Sequence, residues 1–331
     1  MCNLRSLLGL FLVMISLGAR AVEVSFKQVT ENVYAYVGDT GPRSYDNEGL
    51  NATIGLIDTP EGAVLIDSGA SFQSARKIHA AVKKVTSRPV RWVINTGGQD
   101  HRWLGNGYFL AQGAEIIAHD NAKADMQNRA GEHLAALSSA LKGRIDGTVP
   151  TLPTRFIQGN DVTLELGGVS LAQQASRLKT GTYGDVTLEL GGVSLALRHS
   201  GGGHTPGDIL VWLPAKNLLF SGDIVYVGRL LSVNAVSNTK AWVEAFKVIE
   251  DLNPKYIVPG HGQISTLATA RADTSDYLLA LRAHMKKAIN DGVDISTAVQ
   301  SFNSAPYMHL LNAADLMSGN SSRTYLELER E

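Results

Sequence analysis

A chain of 331 residues, 44% hydrophobic and 18% charged, carries enough apolar side chain for a substantial core, which excludes a disordered or fibrous polypeptide. Its 30 Lys and Arg balance 31 Asp and Glu to a formal net charge of -1. That balance gives no electrostatic case for nucleic acid or an anionic membrane as a partner.

The N-terminus differs in kind from the rest of the chain. Arg5 precedes an apolar run over 7–17, and Ala19-Arg20-Ala21 comes next as an Ala-x-Ala cleavage pattern. This predicts a signal peptide over 1–21, because the run is too short for an anchor helix. The sole cysteine, Cys2, lies inside it. The mature chain would then have no disulfide, no thiolate ligand, no cysteine nucleophile and no tie to a membrane. Export to an oxidising compartment is the implication, most simply a bacterial periplasm.

The mature chain opens with strand patterns. Residues 33–37 alternate with period two, and 53–58 with 63–67 read as a hairpin closed by Pro60-Glu61-Gly62. Helical spacing covers 71–85, with Ser71 or Ser74 as N-cap. A strand over 90–94, a glycine-rich loop, a helical stretch over 103–112, a strand over 114–118 and a helix over 121–142 come next. Strands that pair locally and also alternate with helices predict two sheets with helices outside, an α/β layered sandwich.

Asp161 to Ala172 recurs residue for residue at Asp185 to Ala196. A single repeated strand-turn-strand unit is no solenoid, which needs at least three. The second copy runs straight into Leu197-Arg198-His199, so it is the one expected in the sheet, leaving the first copy and its linker (173–184) as an extra hairpin or a competitor for the same register. After residue 265 the pattern turns helical. Residues 266–291 place Tyr277, Leu278, Leu281, Met285 and Ile289 three and four apart, and 295–302, 307–317 and 322–329 read as shorter helices. The expected organisation is a domain over 22–265 and a helical extension over 266–331 that packs on it or joins a second subunit.

Four polar turns carry the chemistry. Asn95-Thr96-Gly97-Gly98-Gln99-Asp100-His101 follows a strand. Downstream come His204 in Gly-Gly-Gly-His-Thr-Pro-Gly-Asp, Asp223 in Phe-Ser-Gly-Asp and His261 in Pro-Gly-His-Gly. Together and in this order they resemble the metallo-β-lactamase superfamily, whose first motif reads His-x-His-x-Asp-His. Further resemblance to its exported quinoprotein- and sulfur-oxidation-associated branch runs from Asn47-Glu48-Gly49 to Arg323-Thr324-Tyr325. The resemblance implies a four-layer αββα sandwich. It also implies a site for divalent metal, in which Gly97 and Gln99 stand where the two leading histidines belong.

In the superfamily a first metal takes those two histidines and one from a later loop. A second takes the Asp-His pair and a final histidine, with a bridging aspartate. Without a gap, His101 falls on the aspartate position and Arg102 on the last histidine; with one deletion, Asp100 and His101 form the pair. Either way His204 is all that is left of the first site. With the deletion, the implied ligand set is Asp100, His101, Asp223 and His261, with His204 as the ligand kept from the first site, and it suits one ion. Zinc is the first choice, and iron or manganese also fit a set with carboxylates. Asp100 or Asp223 would hold or deprotonate a water and His204 would donate a hydrogen bond or proton, while Asp67 would orient a ligand or the motif loop.

The implied function is a periplasmic, mononuclear metal-dependent hydrolase acting on an ester, thioester, lactone or β-lactam bond of a small molecule. Members that work on the second site alone keep a cysteine ligand there, and this chain has none. The alternative is a non-catalytic metal- or ligand-binding accessory protein on the same fold. A redox role lacks a cofactor motif, since Gly201-Gly202-Gly203 precedes a histidine turn and no dinucleotide-type helix. His79, His119, His133, His199, His284 and His309 receive no role. The loops at 41–50 and 124–154 are expected to set substrate choice, and the C-terminal helices offer a surface for self-association.

Overall fold

The structure is a computed structural model that describes residues 22–158, 185–190 and 193–331. The signal-peptide segment, the first repeat copy and its linker lie outside the described residues.

Seven strands make the first sheet in sequence order: β1 (Lys27–Thr30), β2 (Val33–Tyr36), β3 (Ile54–Thr59), β4 (Gly62–Ile66), β5 (Val90–Ile94), β6 (Glu115–His119) and β7 (Arg155–Ile157). Pairing is antiparallel from β1 to β4 and parallel from β4 to β7. The second sheet holds β8 (Asp185–Leu190), β9 (Val193–Arg198), β10 (Leu210–Leu213), β11 (Leu218–Phe220) and β12 (Tyr256–Val258), in the order β12-β11-β10-β9-β8. The second repeat copy thus forms the edge hairpin β8–β9 of this sheet.

Strand β4 shows why the sheets lie inside the molecule. All five of its residues are buried. Val64 and Ile66 pack between the sheets with Leu197, Val211 and Phe220, while Ala63 and Leu65 face the outer helices. A continuous apolar run whose successive residues pack on opposite faces is the signature of a strand covered on both sides.

Helices α1 (Phe72–Val85), α2 (Asp100–Trp103), α3 (Asn106–Ala111) and α4 (Asn121–Leu141) belong to the first-sheet half. Ser71 caps α1 in a reciprocal pair with Ser74, and Ile78 and Val82 seat it on Leu65 and Val93. On the second sheet lie α5 (Thr239–Leu252), α6 (Leu267–Ala270), α7 (Asp276–Asn290), α8 (Ile295–Ser301) and α9 (Ala313–Leu328). Trp242 and Phe246 of α5 share one apolar cluster with Tyr277, Leu281, Tyr325 and Leu328. The layers are helix, sheet, sheet, helix, and the C-terminal helices pack into the last of them. Expected boundaries shift: residues 103–112 divide between the end of α2 and α3, 307–317 and 322–329 are not separate helices because 313–328 form the single helix α9, and 266–291 contain a wider turn over 271–275.

Candidate metal centre

Strand register brings the polar turns together. β11 and β12 run parallel with Phe220 opposite Val258. Asp223 and His261 each follow three residues later, so they leave the sheet at the same end and the same height. β4 and β5 are parallel with Ile66 opposite Ile94, which delivers Asp67 and the motif loop to the facing edge of the first sheet. The short helix α2 begins at Asp100. Of this adjacent pair only His101 brings a ligand atom to Asp223 and His261. His101 is the one that turns inward.

His101, Asp223 and His261 are all buried and offer ligand atoms within 4.8 Å of one another. His101 Nε2 lies 3.2 Å from Asp223 Oδ2, and His261 Nε2 lies 3.1 Å from Asp223 Oδ1. A tetrahedral zinc with bonds of about 2.0–2.1 Å holds its donor atoms about 3.3 Å apart. The two His–Asp223 spacings lie close to that value, each to a different carboxylate oxygen.

The protonation of His261 points the same way. Its Nδ1 is 2.7 Å from the Asn51 carbonyl oxygen, which can only accept, so Nδ1 carries the proton. Burial first, and then Arg229, push the pKa of His261 well below the ordinary imidazole value. A neutral ring with Nδ1 protonated aims the Nε2 lone pair at a carboxylate oxygen. Two acceptors face each other across 3.1 Å, an arrangement that a cation between them resolves. By this test the residues fit one divalent ion held by two imidazoles and a carboxylate. His101 Nδ1 lies 3.1 Å from both Asp100 Oδ1, an acceptor, and Arg43 Nη1, a donor, and these two contacts hold the ring with Nε2 toward Asp223.

Asp100 stands one layer outside the three. Its Oδ1 accepts from the His101 backbone N–H at 2.8 Å and pairs with Arg43 Nη1 at 3.1 Å. Burial works to raise its pKa, but Arg43 and His101 outweigh burial and hold the carboxyl well below the usual range. Asp223 is lowered in the same way, with burial overruled by Arg102 and then His101.

Arg102, by the ungapped motif a charge where a ligand belongs, is fully buried and satisfied. It clasps Asp223 through Nε to Oδ2 at 3.1 Å and Nη2 to Oδ1 at 2.6 Å, and reaches Asp67 Oδ2 through Nη1 at 2.9 Å. Nη2 also donates to the Gly260 carbonyl at 3.0 Å. A Cβ at Gly260 would stand 2.5 Å from that Nη2, so the close approach requires glycine. Asp67 in turn accepts from the Thr96 backbone N–H at 2.7 Å and hydroxyl at 2.8 Å. It anchors the start of the motif loop to the Arg102 cluster.

The positions that the resemblance gives to a first ion are otherwise filled. A Cβ at Gly97 would lie 2.3 Å from Asp208 Oδ1. Burial, and then Asp223, push the Asp208 carboxyl up to about 8, so a neutral acid occupies the space of a histidine. Gln99 Oε1 accepts from Arg129 Nη1 at 3.3 Å, and Arg129 forks onto Asp125 through two 2.6 Å bonds. His204 donates from Nδ1 to the Ser232 carbonyl at 2.9 Å, which leaves Nε2 to accept from Asn234 Nδ2 at 3.3 Å. Burial holds it at about 4, so it is neutral and presents a lone pair. Among the described residues His204 and Asp100 lie outside the group that could hold an ion.

Arg43, Arg129 and Arg229 around the centre carry no motif that marks them as site residues, whereas Arg102 falls on the motif's last position in the ungapped register. Arg229 left one trace, as the only charge in the apolar run Ile224-Val225-Tyr226-Val227-Gly228-Arg229-Leu230-Leu231. Arg43 left none.

Comparison with known proteins agrees with this geometry. The family model of the metallo-beta-lactamase superfamily matches residues 47–261. The metallo-beta-lactamase type 2 of Bacteroides fragilis is 36% identical over 66 residues, 19% of this chain and 26% of that protein. The linear primary-alkylsulfatase of Pseudomonas sp. (strain ATCC 19151) is 21% identical over 222 residues, 63% of this chain and 41% of that protein. The chain therefore spans less than half the length of either curated relative. The solved FIM-1 metallo-beta-lactamase of Pseudomonas aeruginosa, in its mono-zinc form, superposes with a TM-score of 0.53 at 18% identity. That match covers 77% of this chain and 95% of that one, and at such identity it speaks for the fold alone. With the sandwich, the strand-end cluster and a family match that spans from Asn47 to His261, the chain belongs to the metallo-β-lactamase superfamily.

Proposed function

We propose that this protein is a periplasmic hydrolase that uses one divalent metal ion, zinc first, to cleave an ester-type bond (ester, thioester, lactone or β-lactam) of a small molecule. The observation that carries the reading is the buried trio of His101, Asp223 and His261, with the His261 lone pair turned onto Asp223 by the Asn51 carbonyl. An ion there would supply Lewis-acid polarisation of the scissile group and acidify a water. The periplasmic placement is supported by the 1–21 sequence pattern.

The chain's own residues prepare that chemistry. Asn51 and Asp100 fix the rings of His261 and His101 through their Nδ1 atoms, which is how outer partners set ligand orientation. Arg102 pins the Asp223 carboxylate from behind through two bonds. Asp100 and Asp223 both stay ionised near neutral pH, so either can orient a water. His204 is neutral, with Nδ1 donating to the Ser232 carbonyl and Nε2 accepting from Asn234, so it has no proton to donate toward the centre, contrary to the sequence expectation. The metallo-beta-lactamase and the alkylsulfatase among the relatives both carry hydrolase names, and support the reaction class.

A second reading is favoured by Arg102. Its guanidinium already neutralises Asp223, as it would in an accessory protein that binds a ligand without turnover. The test is a panel of chromogenic esters, thioesters, lactones and a cephalosporin, run on wild type and His261→Ala before and after chelation. Turnover of at least one bond type, lost on chelation and restored by zinc, is expected. No turnover of any bond type by zinc-replete protein would move the assignment to the accessory reading.

A further inference from the structure

Helix α4 carries a polar stripe. Asp125, Arg129 and His133 come four residues apart, so they share one face of the helix. They meet the motif loop at successive points. A Cβ at Gly98 would lie 2.2 Å from Asp125 Oδ2, so the loop backbone runs against that carboxylate. Arg129 Nη1 donates to Gln99 Oε1 at 3.3 Å, and Gln99 Nε2 donates in turn to Asp100 Oδ1 at 3.3 Å. His133 comes last, its ring centre 6.4 Å from that of Trp103. Trp103 ends the short helix α2 that Asp100 begins, and residues three apart on a helix are neighbours on its surface. The charge of Asp100 is felt at His133.

Asp125 and Arg129 satisfy each other, but His133 is idle. Both of its ring nitrogens are buried without a hydrogen-bond partner among the described residues, and so is Trp103 Nε1. His133 is only 4% exposed and Trp103 is fully enclosed. Burial, the largest cause, holds the pKa of His133 below the ordinary imidazole value, so the ring is neutral with one N–H and one lone pair. The indole N–H can only donate. Idle polar atoms inside a protein are costly, and where several converge a bound water is the usual resolution. Water also suits the surroundings. An anion here would face Asp100 and Asp125, and a cation would face Arg43, Arg129 and two N–H donors. A neutral molecule that accepts from the indole and donates to an imidazole lone pair meets neither objection.

We propose that His133 and Trp103 hold one ordered water behind Asp100, and that through it α4 fixes the Asp100–His101 turn. The stripe thereby gives the motif loop the anchoring that two metal-bound histidines at positions 97 and 99 would otherwise provide. His133 is then a positioning residue: it acts on the centre through Asp100, which holds the His101 ring. Its effect on zinc rests on the single-ion reading, while the water site stands without an ion.

The water is tested by nuclear magnetic resonance on metal-free protein labelled with 15N-tryptophan, with Trp103→Phe assigning the Trp103 indole signal. In wild type that indole proton should show a cross-peak to a long-lived water. His133→Leu, which fills the space without polar atoms, should lose the cross-peak, and His133→Gln, which both donates and accepts, should keep it. Zinc affinity, read by competition with a chromophoric chelator, should fall about tenfold or more in His133→Leu, the usual cost of losing an outer partner of a ligand. In His133→Gln it should stay near wild type. Packing alone predicts the reverse order, since leucine suits an apolar space better than glutamine. Absence of the cross-peak in wild type overturns the proposal. So does a zinc affinity that His133→Leu leaves unchanged, or one that both variants lower equally. Wild type that shows the cross-peak and binds no zinc would overturn the single-ion reading and the positioning role together, and leave the water site supported.

Discussion

Replacing Arg102 by methionine removes the cation that joins Asp67 to Asp223 and leaves both carboxylates in the space between the sheets. Breaking a buried ion pair from one side typically costs about 3–5 kcal/mol, and here one guanidinium serves two acids. Each acid can escape by taking up a proton. Starting from the ordinary carboxyl value of 3.8, neutralising one group at pH 7 costs about 4 kcal/mol, and at pH 5 about 1.6 kcal/mol. The penalty is thus capped near 4 kcal/mol per acid at pH 7. Arg102→Met should lose about 4–8 kcal/mol there and about 2–3 kcal/mol at pH 5, against a total stability of about 5–15 kcal/mol. The sign comes from linkage. In the variant both acids have folded-state pKa values raised above the unfolded ones, so the penalty is absent below about 3.8 and grows as pH rises toward the folded value. Urea unfolding of metal-free wild type and variant at pH 5, 6 and 7 measures it. A loss under about 1 kcal/mol at pH 7, or one that does not shrink at pH 5, would refute the reasoning.

Restoring a histidine by Gly97→His should not restore a first ion, because its Cβ would meet Asp208 Oδ1 at 2.3 Å. The expected result is a stability loss of about 1–3 kcal/mol from overpacking, with metal content unchanged. Acid should weaken the metal-free fold in the window between 6.5 and about 4, since burial holds both His119 and His204 at about 4. These groups are depressed, so their contribution is present above 6.5 and drains away as pH falls through 4. His119→Gln should flatten that part of a stability–pH curve, and an unchanged curve would count against it. Deleting residues 161–184, one repeat unit with its linker, leaves the copy that forms β8–β9 in place. Circular dichroism and zinc content should match the full chain; a loss of cooperative unfolding would show that the excised copy is needed.

Much of this architecture was legible in the residues. The alternation over 33–37, the continuous apolar run of β4, the Ser71 cap and the Gly-rich turns each have a local physical cause that a sequence displays. The register around Asp100 and His101 was not legible, because adjacent polar residues carry no mark of which one a four-residue helix will turn inward. Nor was the partnership of Arg102, whose acids lie 35 and 121 positions away and meet it only through the parallel pairing of strands. Charge in a sequence looks like surface, and the buried guanidiniums here run against that rule. The vacated first site had the opposite character: Gly97 and Gln99 announced the loss of ligands, while the acid and arginine that fill the space come from Asp208 and Arg129, outside the motif.

The central claim is a single ion on His101, Asp223 and His261, and metal stoichiometry tests it most directly. Protein purified without added metal, then loaded with zinc and freed of excess, should carry one equivalent by plasma mass spectrometry. His261→Ala should carry none, while His204→Ala should still carry one. Two equivalents in wild type, or one equivalent that survives His261→Ala, would contradict the account.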